Sequence, residues 1–189
     1  MFQGEIVRKS LHLLIALVPS LASVNLPATI AILVMGTLFY SFAESSRLQG
    51  TSIPVVSALT LIASREKDRG GFVLGPVTLG IGALLSLILY PLPAASLAIY
   101  ALAFGDGFAS LVGTMARGPL IPLSRGKTLA GSMACFLAVF TVTLSVTSHV
   151  NTSFIVAASA TIIEALPAGN FDNVLLPFGV GLIATQLHL

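Results

Sequence analysis

With 189 residues, of which 56% are hydrophobic and 8% charged, and a mean hydropathy of +1.00, the chain lies far outside the composition of soluble globular domains. Nine Lys and Arg against seven Asp and Glu leave a net charge of only +2, too small an excess to indicate a nucleic-acid partner. We therefore predict an integral membrane protein, in which the single cysteine, Cys135, allows no internal disulfide.

Seven apolar runs approach or reach the length of about 20 residues that a transmembrane helix needs. They cover residues 7–24, 27–43, 72–90, 93–113, 128–148, 152–166 and 173–189. A further apolar stretch, 51–64, has 14 residues and contains Pro54, which favours a re-entrant or interfacial segment. The pattern predicts an all-α fold: a polytopic transmembrane helical bundle of about seven spans, forming a single domain over residues 1–189.

The charged residues indicate how this bundle is oriented. The connections near Asn25, Pro91 and His149 share one side with the C-terminus and contain no Lys, Arg, Asp or Glu. All sixteen charged residues then lie on the opposite face, which the positive-inside rule makes cytoplasmic. We predict a cytoplasmic N-terminus and an outside C-terminus, in a prokaryotic plasma membrane. The sequence leaves the formation of a homo-oligomer open.

Asp106 is the most informative of these residues, because it lies inside the apolar run 99–112. A carboxylate in a membrane span is costly and marks a functional site by default. Gly105 and Gly107 flank it and permit close approach of a ligand. Ser110 and Gly113 follow at spacings of four and three and share its helical face. The alternative is a structural acid paired with a neighbouring Arg or Lys.

Two more carboxylates, Glu164 and Asp172, flank a break between the last two spans and are followed by Asn173. Mg²⁺ prefers hard oxygen ligands and is usually held by one or two carboxylates together with substrate phosphates. With Asp106, these residues form our predicted metal site. A solvated connecting loop is the simpler alternative.

Basic and polar side chains at the same face are suited to binding phosphate. They are Arg8, Lys9 and His12 near the first span, Arg65 after the short segment, and Arg125, Lys127 and Thr128 before the fifth span. The start of the fifth span offers free backbone N–H groups and a helix dipole, which attract anions. Signals that orient the chain in the membrane look the same, so simple anchoring is the alternative.

Together these segments predict one cytoplasmic pocket with phosphate-binding cations, metal-binding carboxylates and an opening to lipid. Such a pocket suits phosphoryl transfer to a membrane alcohol, which needs positioning and charge neutralisation rather than covalent catalysis. Lys127 and Arg8 would neutralise phosphate charge. Asp106 would be a metal ligand or the base that accepts the hydroxyl proton.

The same motifs resemble the CTP-dependent lipid kinase family, which contains dolichol kinase, phytol kinase and the yeast-type diacylglycerol kinase. In the family's order, the motifs are Arg8-Lys9 with His12, the stretch 105–110 with Gly113, the stretch 126–128 with Gly131-Ser132, and Glu164 with Asp172-Asn173 and Pro177.

The resemblance implies an integral membrane enzyme that transfers the terminal phosphate of CTP, with a divalent metal, to an isoprenoid or other lipid alcohol. It implies that Asp106 and its glycine-flanked stretch bind the nucleotide and that Lys127 contacts phosphate. This chain departs from the family pattern at Ala130, where the family typically has a glutamate.

Two alternatives stay open at the level of sequence. A CTP-dependent phosphatidate cytidylyltransferase would use the same nucleotide but release pyrophosphate, although the C-terminal signature we associate with such enzymes is absent here. A small transporter or lipid-binding protein would use Asp106 as a proton or ion site. The near-absence of charges on the outer face disfavours the transporter.

Overall fold

A computed structural model of the protein describes residues 2–64, 70–116, 118–122, 124 and 126–189. The chain is 83% helical and its described part contains no strand, so the all-α prediction is confirmed. In chain order, helices α1 to α10 cover Phe2–Leu14, Val18–Val24, Leu26–Leu48, Pro54–Ala63, Gly75–Leu89, Leu92–Tyr100, Gly107–Ala116, Leu129–Thr147, Val150–Ala165 and Asp172–Gln186.

Some of these helices join into longer runs. A short 3₁₀ turn, Ile15–Leu17, connects α1 to α2, and a π-helical segment, Ala101–Asp106, connects α6 to α7. In the described part, four runs are long and apolar enough to cross a membrane: Gly4–Val24, Leu26–Leu48, Leu92–Ala116 and Leu129–Thr147. Helices α4, α5 and α9 are apolar but shorter. These helices are compatible with membrane insertion, and α4, at 10 residues, is only about 15 Å long and cannot span.

Local sequence signals explain where the helices begin and end. Proline occupies the first turn of α3, α4, α5 and α6, where its missing N–H leaves no hydrogen bond unmade. The Asn25 side chain caps α3 by accepting a hydrogen bond from Ala28 N at 3.0 Å. Ser148, at φ 58°, ends α8 in the left-handed conformation.

The run Leu92–Ala116 lies at the centre of the bundle. Of its apolar stretch 56% is buried, against 11% for the run Leu26–Leu48. One side of the run packs on a cluster that includes Cys135, Val139 and Val180, and the other side packs on a cluster that includes Val18, Ala83 and Leu87. The segment that carries Asp106 is therefore held between both halves of the core.

Glu44 and Arg47, near the end of α3, form a structural ion pair. The Arg47 guanidinium donates to both Glu44 carboxylate oxygens at 2.8 Å, and Glu44 also accepts from the backbone N of Val73 at 2.8 Å. Arg47 donates further to the carbonyl of Gly71 at 2.9 Å. These bonds attach the segment before α5, which contains Gly71 and Val73, to the end of α3. They hold Val73 in one wall of the cavity described next.

Candidate functional site

A cavity of about 850 Å³ opens where helical runs begin and end at the face predicted to be charged. It brings together most of the predicted site residues from sequence-distant segments. Those that line it are Arg8, Lys9, His12, Asp106, Ser110, Gly113, Lys127, Thr128, Glu164, Asp172 and Asn173. The prediction that these segments meet in one pocket agrees with the structure.

Lys9, His12 and Asp106 form the group that we call the Lys9 cluster. The Lys9 ammonium pairs with the Asp106 carboxylate and donates to the Asp106 carbonyl oxygen at 3.3 Å. His12 Nε2 lies 3.6 Å from the same carboxylate oxygen, Asp106 Oδ2. Arg8 and Lys9 are both predicted to bind phosphate, but the structure turns Lys9 inward and pairs Arg8 with Glu5. Asp106 is thus paired with a lysine, as the alternative of a structural acid predicts, and it also lines the cavity.

Asn173 connects this cluster to two other helices. Its side-chain nitrogen donates to the Gly75 carbonyl at 3.2 Å and to Thr78 Oγ1 at 3.0 Å, both on α5. Its side-chain oxygen lies 3.0 Å from His12 Nε2. The start of α10 is therefore tied to both α1 and α5 by one amide group.

Lys127, Glu164 and Asp172 form a second group, the Lys127 cluster. Lys127 Nζ lies 3.2 Å from Glu164 Oε1 and 3.2 Å from Asp172 Oδ2, and it also donates to the Glu164 carbonyl. Ser132 Oγ lies 3.5 Å from Glu164 Oε2. Asp172 precedes the last predicted span, and burial raises the pKa of its carboxyl group while the nearby Lys127 charge opposes that rise.

A tight loop between α7 and α8 presents Lys127. Ile121 N donates to the Lys127 carbonyl at 2.8 Å, and Leu129 N donates to the Pro119 carbonyl at 3.0 Å, so the loop folds back on itself. Gly126 has a φ of 97°, which a residue with a side chain rarely adopts. Glycine at this position therefore allows the turn that brings Lys127 to the cavity.

Thr128 caps the helix that follows this loop. Its Oγ1 accepts a hydrogen bond from Gly131 N at 3.1 Å, as an N-cap residue does. A Cβ atom on Gly131 would lie 2.6 Å from the Ala109 carbonyl oxygen, and one on Gly113 would lie 2.9 Å from Thr128 Oγ1. The glycines at 113 and 131 therefore let α7 and α8 approach closely beneath the cavity.

Two described residues of the predicted set, Gly105 and Gly107, are not part of this lining. Gly105 faces Cys135 and Val139 on α8, and Gly107 faces Leu13, so both serve helix packing rather than contact with the cavity. Arg65 and Arg125 lie outside the described residues. Their predicted role in phosphate binding stays a prediction.

The predicted three-carboxylate metal site is not assembled as one set of ligands. Within the ranges that the structure describes, no three His, Cys, Asp or Glu side chains are grouped closely enough to hold a metal ion. Asp106 is bound to Lys9, whereas Glu164 and Asp172 share the Lys127 ammonium. Glu164 and Asp172, the two carboxylates that pair with Lys127, are as many protein ligands as Mg²⁺ usually has when phosphate oxygens complete its site. Metal binding itself stays a prediction.

Several cavity residues were not predicted to line the site. Ser132 belongs to the motif that follows Lys127 but was given no role. It lies four residues after Thr128 on α8, and this helical spacing could have identified it as a lining residue. Four further lining residues carry no local signal for such a role: Tyr40 on α3, Leu59 and Thr60 on α4, and Leu74 immediately before α5. The Tyr40 hydroxyl donates to the Val73 carbonyl at 3.0 Å, a contact between segments far apart in sequence.

Comparison with known proteins finds a distant similarity to an uncharacterized protein. The chain is 29% identical over 135 residues to an uncharacterized protein of Methanocaldococcus jannaschii, an alignment that covers 71% of this chain and 68% of that one. No protein-family model matches the chain, and no solved structure matches it.

Proposed function

We propose that this protein is an integral membrane kinase that transfers the terminal phosphate of CTP to an isoprenoid or other lipid alcohol at the cytoplasmic face. The observation that carries the proposal is the convergence of two lysine–carboxylate clusters from four distant segments on one cavity. Phosphoryl transfer requires cations against the phosphates and carboxylates for a metal, and the cavity offers both. The motif resemblance supplies the choice of CTP and of a lipid alcohol.

The nucleotide phosphates would lie beside Lys127 and the start of α8. Lys127 is partly exposed in the cavity, Arg8 lines the cavity with it, and both side chains are suited to phosphate charge. Glu164 and Asp172 are the carboxylates placed to hold Mg²⁺. When bound with the nucleotide, this ion would supply further neutralisation of phosphate charge.

An apolar part of the cavity wall supports entry of a lipid from the bilayer. Leu11, Leu59 and Leu74 line the cavity and are 38%, 42% and 40% exposed, so this wall also faces the surroundings of the protein. Leu11 belongs to α1 and Leu59 to α4, and Leu74 immediately precedes α5. We propose that the hydrocarbon tail lies along this wall and places the hydroxyl near the Lys9 cluster, and that α4 lies in the membrane interface.

We also propose the full seven-span topology, with the N-terminus inside. The cavity is lined by the first half of the run Gly4–Val24, by the beginnings of α5, α8 and α10, and by the ends of α3, α7 and α9. Beginnings and ends on one face are what alternating crossings produce. Helices α5 and α9, with 15 and 16 residues, are shorter than an average crossing, so local thinning of the bilayer would accompany them.

Purified protein in detergent should be supplied with Mg²⁺, with CTP or ATP, and with phytol, farnesol, geranylgeraniol, longer polyprenols or diacylglycerol. We expect a lipid monophosphate and CDP in equal amounts. Asp106→Ala should abolish the product, whereas Ser145→Ala, an exposed change on α8, should leave the rate unchanged.

Other products would replace the proposal with a specific alternative. Pyrophosphate together with a cytidine-diphosphate lipid would establish a cytidylyltransferase. Folded protein that consumes no nucleotide with any acceptor, but supports an Asp106-dependent flux in liposomes, would establish a transporter. In that second case Ala130, the departure from the family pattern, would mark a lost kinase activity.

A further inference from the structure

A chain of hydrogen bonds of fixed direction runs from α5 to His12. The Thr78 hydroxyl donates to the carbonyls of Leu74 and Gly75, at 3.2 and 3.0 Å, so Thr78 Oγ1 is left to accept from the Asn173 amide nitrogen. That nitrogen also donates to Gly75 O. The Asn173 oxygen is therefore the end that faces His12, and His12 Nε2 must be the donor in their 3.0 Å contact.

The other ring nitrogen of His12 ends this chain without a partner. His12 is 5% exposed, and its Nδ1 is buried with no hydrogen bond to any residue that the structure describes. If Nε2 carries the proton, Nδ1 of the uncharged ring is an acceptor. A buried acceptor without a donor costs about 1–3 kcal/mol, so this atom is poised for a group that brings a hydrogen.

We propose that His12 is the catalytic base of the reaction and takes the hydroxyl proton of the lipid alcohol at Nδ1. This inference rests on the proposed function. The O–H bond of the alcohol breaks as its proton moves to Nδ1, and the oxygen forms a bond to the terminal phosphorus of the nucleotide. The bond from that phosphorus to the bridging oxygen breaks, and the nucleoside diphosphate leaves with the electron pair. The imidazolium then returns its proton to water.

Asp106 is less suited than His12 to act as the base, and we propose that it instead stabilises the protonated His12 ring. Its carboxylate is paired with the Lys9 ammonium, and this positive charge makes the carboxylate a weaker base. Asp106 Oδ2 does lie 3.6 Å from His12 Nε2, on the side of the ring opposite the accepting nitrogen. Once the ring is protonated, this carboxylate stabilises the positive charge. His12 therefore has an orienting partner in Asn173 and a charge partner in Asp106.

Access to Nδ1 depends on substrate binding. The atom is covered in the substrate-free structure, although His12 itself lines the cavity. Catalytic hydrogen bonds are often completed only in the substrate complex. We expect the alcohol to reach Nδ1 when cavity side chains next to His12 shift on substrate binding.

His12→Gln is the decisive variant, because glutamine places an amide donor near the position of Nε2 but has no base at Nδ1. We expect kcat for lipid phosphorylation to fall by about 10²–10⁴-fold, with the KM for CTP changed less than about threefold. His12→Ala, which also removes the donor to Asn173, should be assayed in parallel. Thermal stabilisation by CTP and Mg²⁺ reports that the nucleotide site of each variant is intact.

An acceptor with a more acidic hydroxyl separates loss of a base from structural damage. A 2,2-difluoro alcohol of matching chain length needs less help to release its proton, so it should restore transfer in the variants far more than in the wild type. Activity of His12→Gln within about fivefold of the wild type would overturn the proposal, as would equal effects of fluorination in variant and wild type. A wild type without any lipid phosphorylation would instead refute the proposed function.

Asn173 acts as a positioning residue in this account. Asn173→Asp keeps an oxygen that accepts from His12 Nε2, whereas Asn173→Ala removes it. We expect Asn173→Asp to retain at least about tenfold more kcat than Asn173→Ala, with a similar KM for CTP. Equal loss in both variants would mean that Asn173 matters only through its bonds to α5.

Discussion

The two lysine clusters that share the cavity differ in burial and in charge balance. In the Lys9 cluster the lysine side chain is 5% exposed and faces one carboxylate, Asp106. In the Lys127 cluster the lysine side chain is 20% exposed and faces two carboxylates, one of them 22% exposed. Both lysines also bind the main-chain carbonyl of their partner. Each cluster thus pairs a lysine with carboxylate and carbonyl oxygens, but the Lys9 cluster is more buried and the Lys127 cluster has one more negative charge.

This difference separates two tasks. A buried pair of matched charges is costly to break and serves best to hold helices and orient neighbours. A partly exposed lysine between two carboxylates leaves an excess of negative charge, which a second cation can compensate. Under the proposed function, we therefore expect the Lys9 cluster to position the acceptor and the Lys127 cluster to bind the nucleotide and its metal.

We expect the largest effect on stability from variants that break the buried Lys9–Asp106 pair. Lys9→Met leaves Asp106 without its cation, and Asp106→Ala leaves a buried ammonium, so each should lower the free energy of unfolding by about 3–5 kcal/mol and abolish transfer. Lys9→Met combined with Asp106→Leu should recover most of the stability but no activity. Thermal or denaturant unfolding in detergent measures both. Single variants within about 1 kcal/mol of the wild type would contradict the assignment.

Lys127→Met should have a smaller effect on stability and a large one on rate. Because the cluster is partly exposed, we expect a loss of about 1–3 kcal/mol in unfolding free energy, between surface and buried pairs. Loss of one cation from the phosphates should lower kcat by about 10²–10³-fold. Steady-state kinetics with saturating CTP measures this. If Lys127→Met destabilises the protein as strongly as Lys9→Met does, the two clusters do not differ as proposed.

The contrast between the clusters also marks the limit of sequence reasoning. Apolar runs and charge placement predicted every long helix and the meeting of the charged segments, because both signals are carried along the chain. They could not choose between Arg8 and Lys9, since the choice depends on how α1 rotates against α4 and α7.

The same limit applies to Asp106 and Glu44. The π-helical segment Ala101–Asp106 widens the turn before α7, and this local irregularity decides how Asp106 meets α1. Glu44 belongs to a charged segment that we predict to lie at the cytoplasmic face, yet its side chain is buried. It accepts a hydrogen bond from Val73 N, 29 residues away along the chain. Contacts across such separations have no local pattern.

Binding of Mg²⁺ without nucleotide should sharpen the comparison further. In Lys127→Met the two carboxylates Glu164 and Asp172 lack their cation, so Mg²⁺ should stabilise this variant more than the wild type. At ten times its Kd the gain is about 1.4 kcal/mol. Lys9→Met offers only Asp106 and should gain less. Thermal unfolding with and without Mg²⁺, against a matched ionic strength of NaCl, measures the difference. Equal stabilisation of the two variants by Mg²⁺ would contradict metal binding at the Lys127 cluster.

The smallest expected effect concerns the helix that presents Lys127. Thr128→Ala removes the N-cap bond to Gly131 N and should cost about 1 kcal/mol of stability, whereas Thr128→Ser keeps the hydroxyl and should cost only a few tenths. If the cap also positions Lys127, Thr128→Ala should raise the KM for CTP several-fold, and Thr128→Ser should not. A loss of stability with an unchanged KM would show that the loop holds Lys127 through its own bonds, from Ile121 N and Leu129 N, independently of the cap.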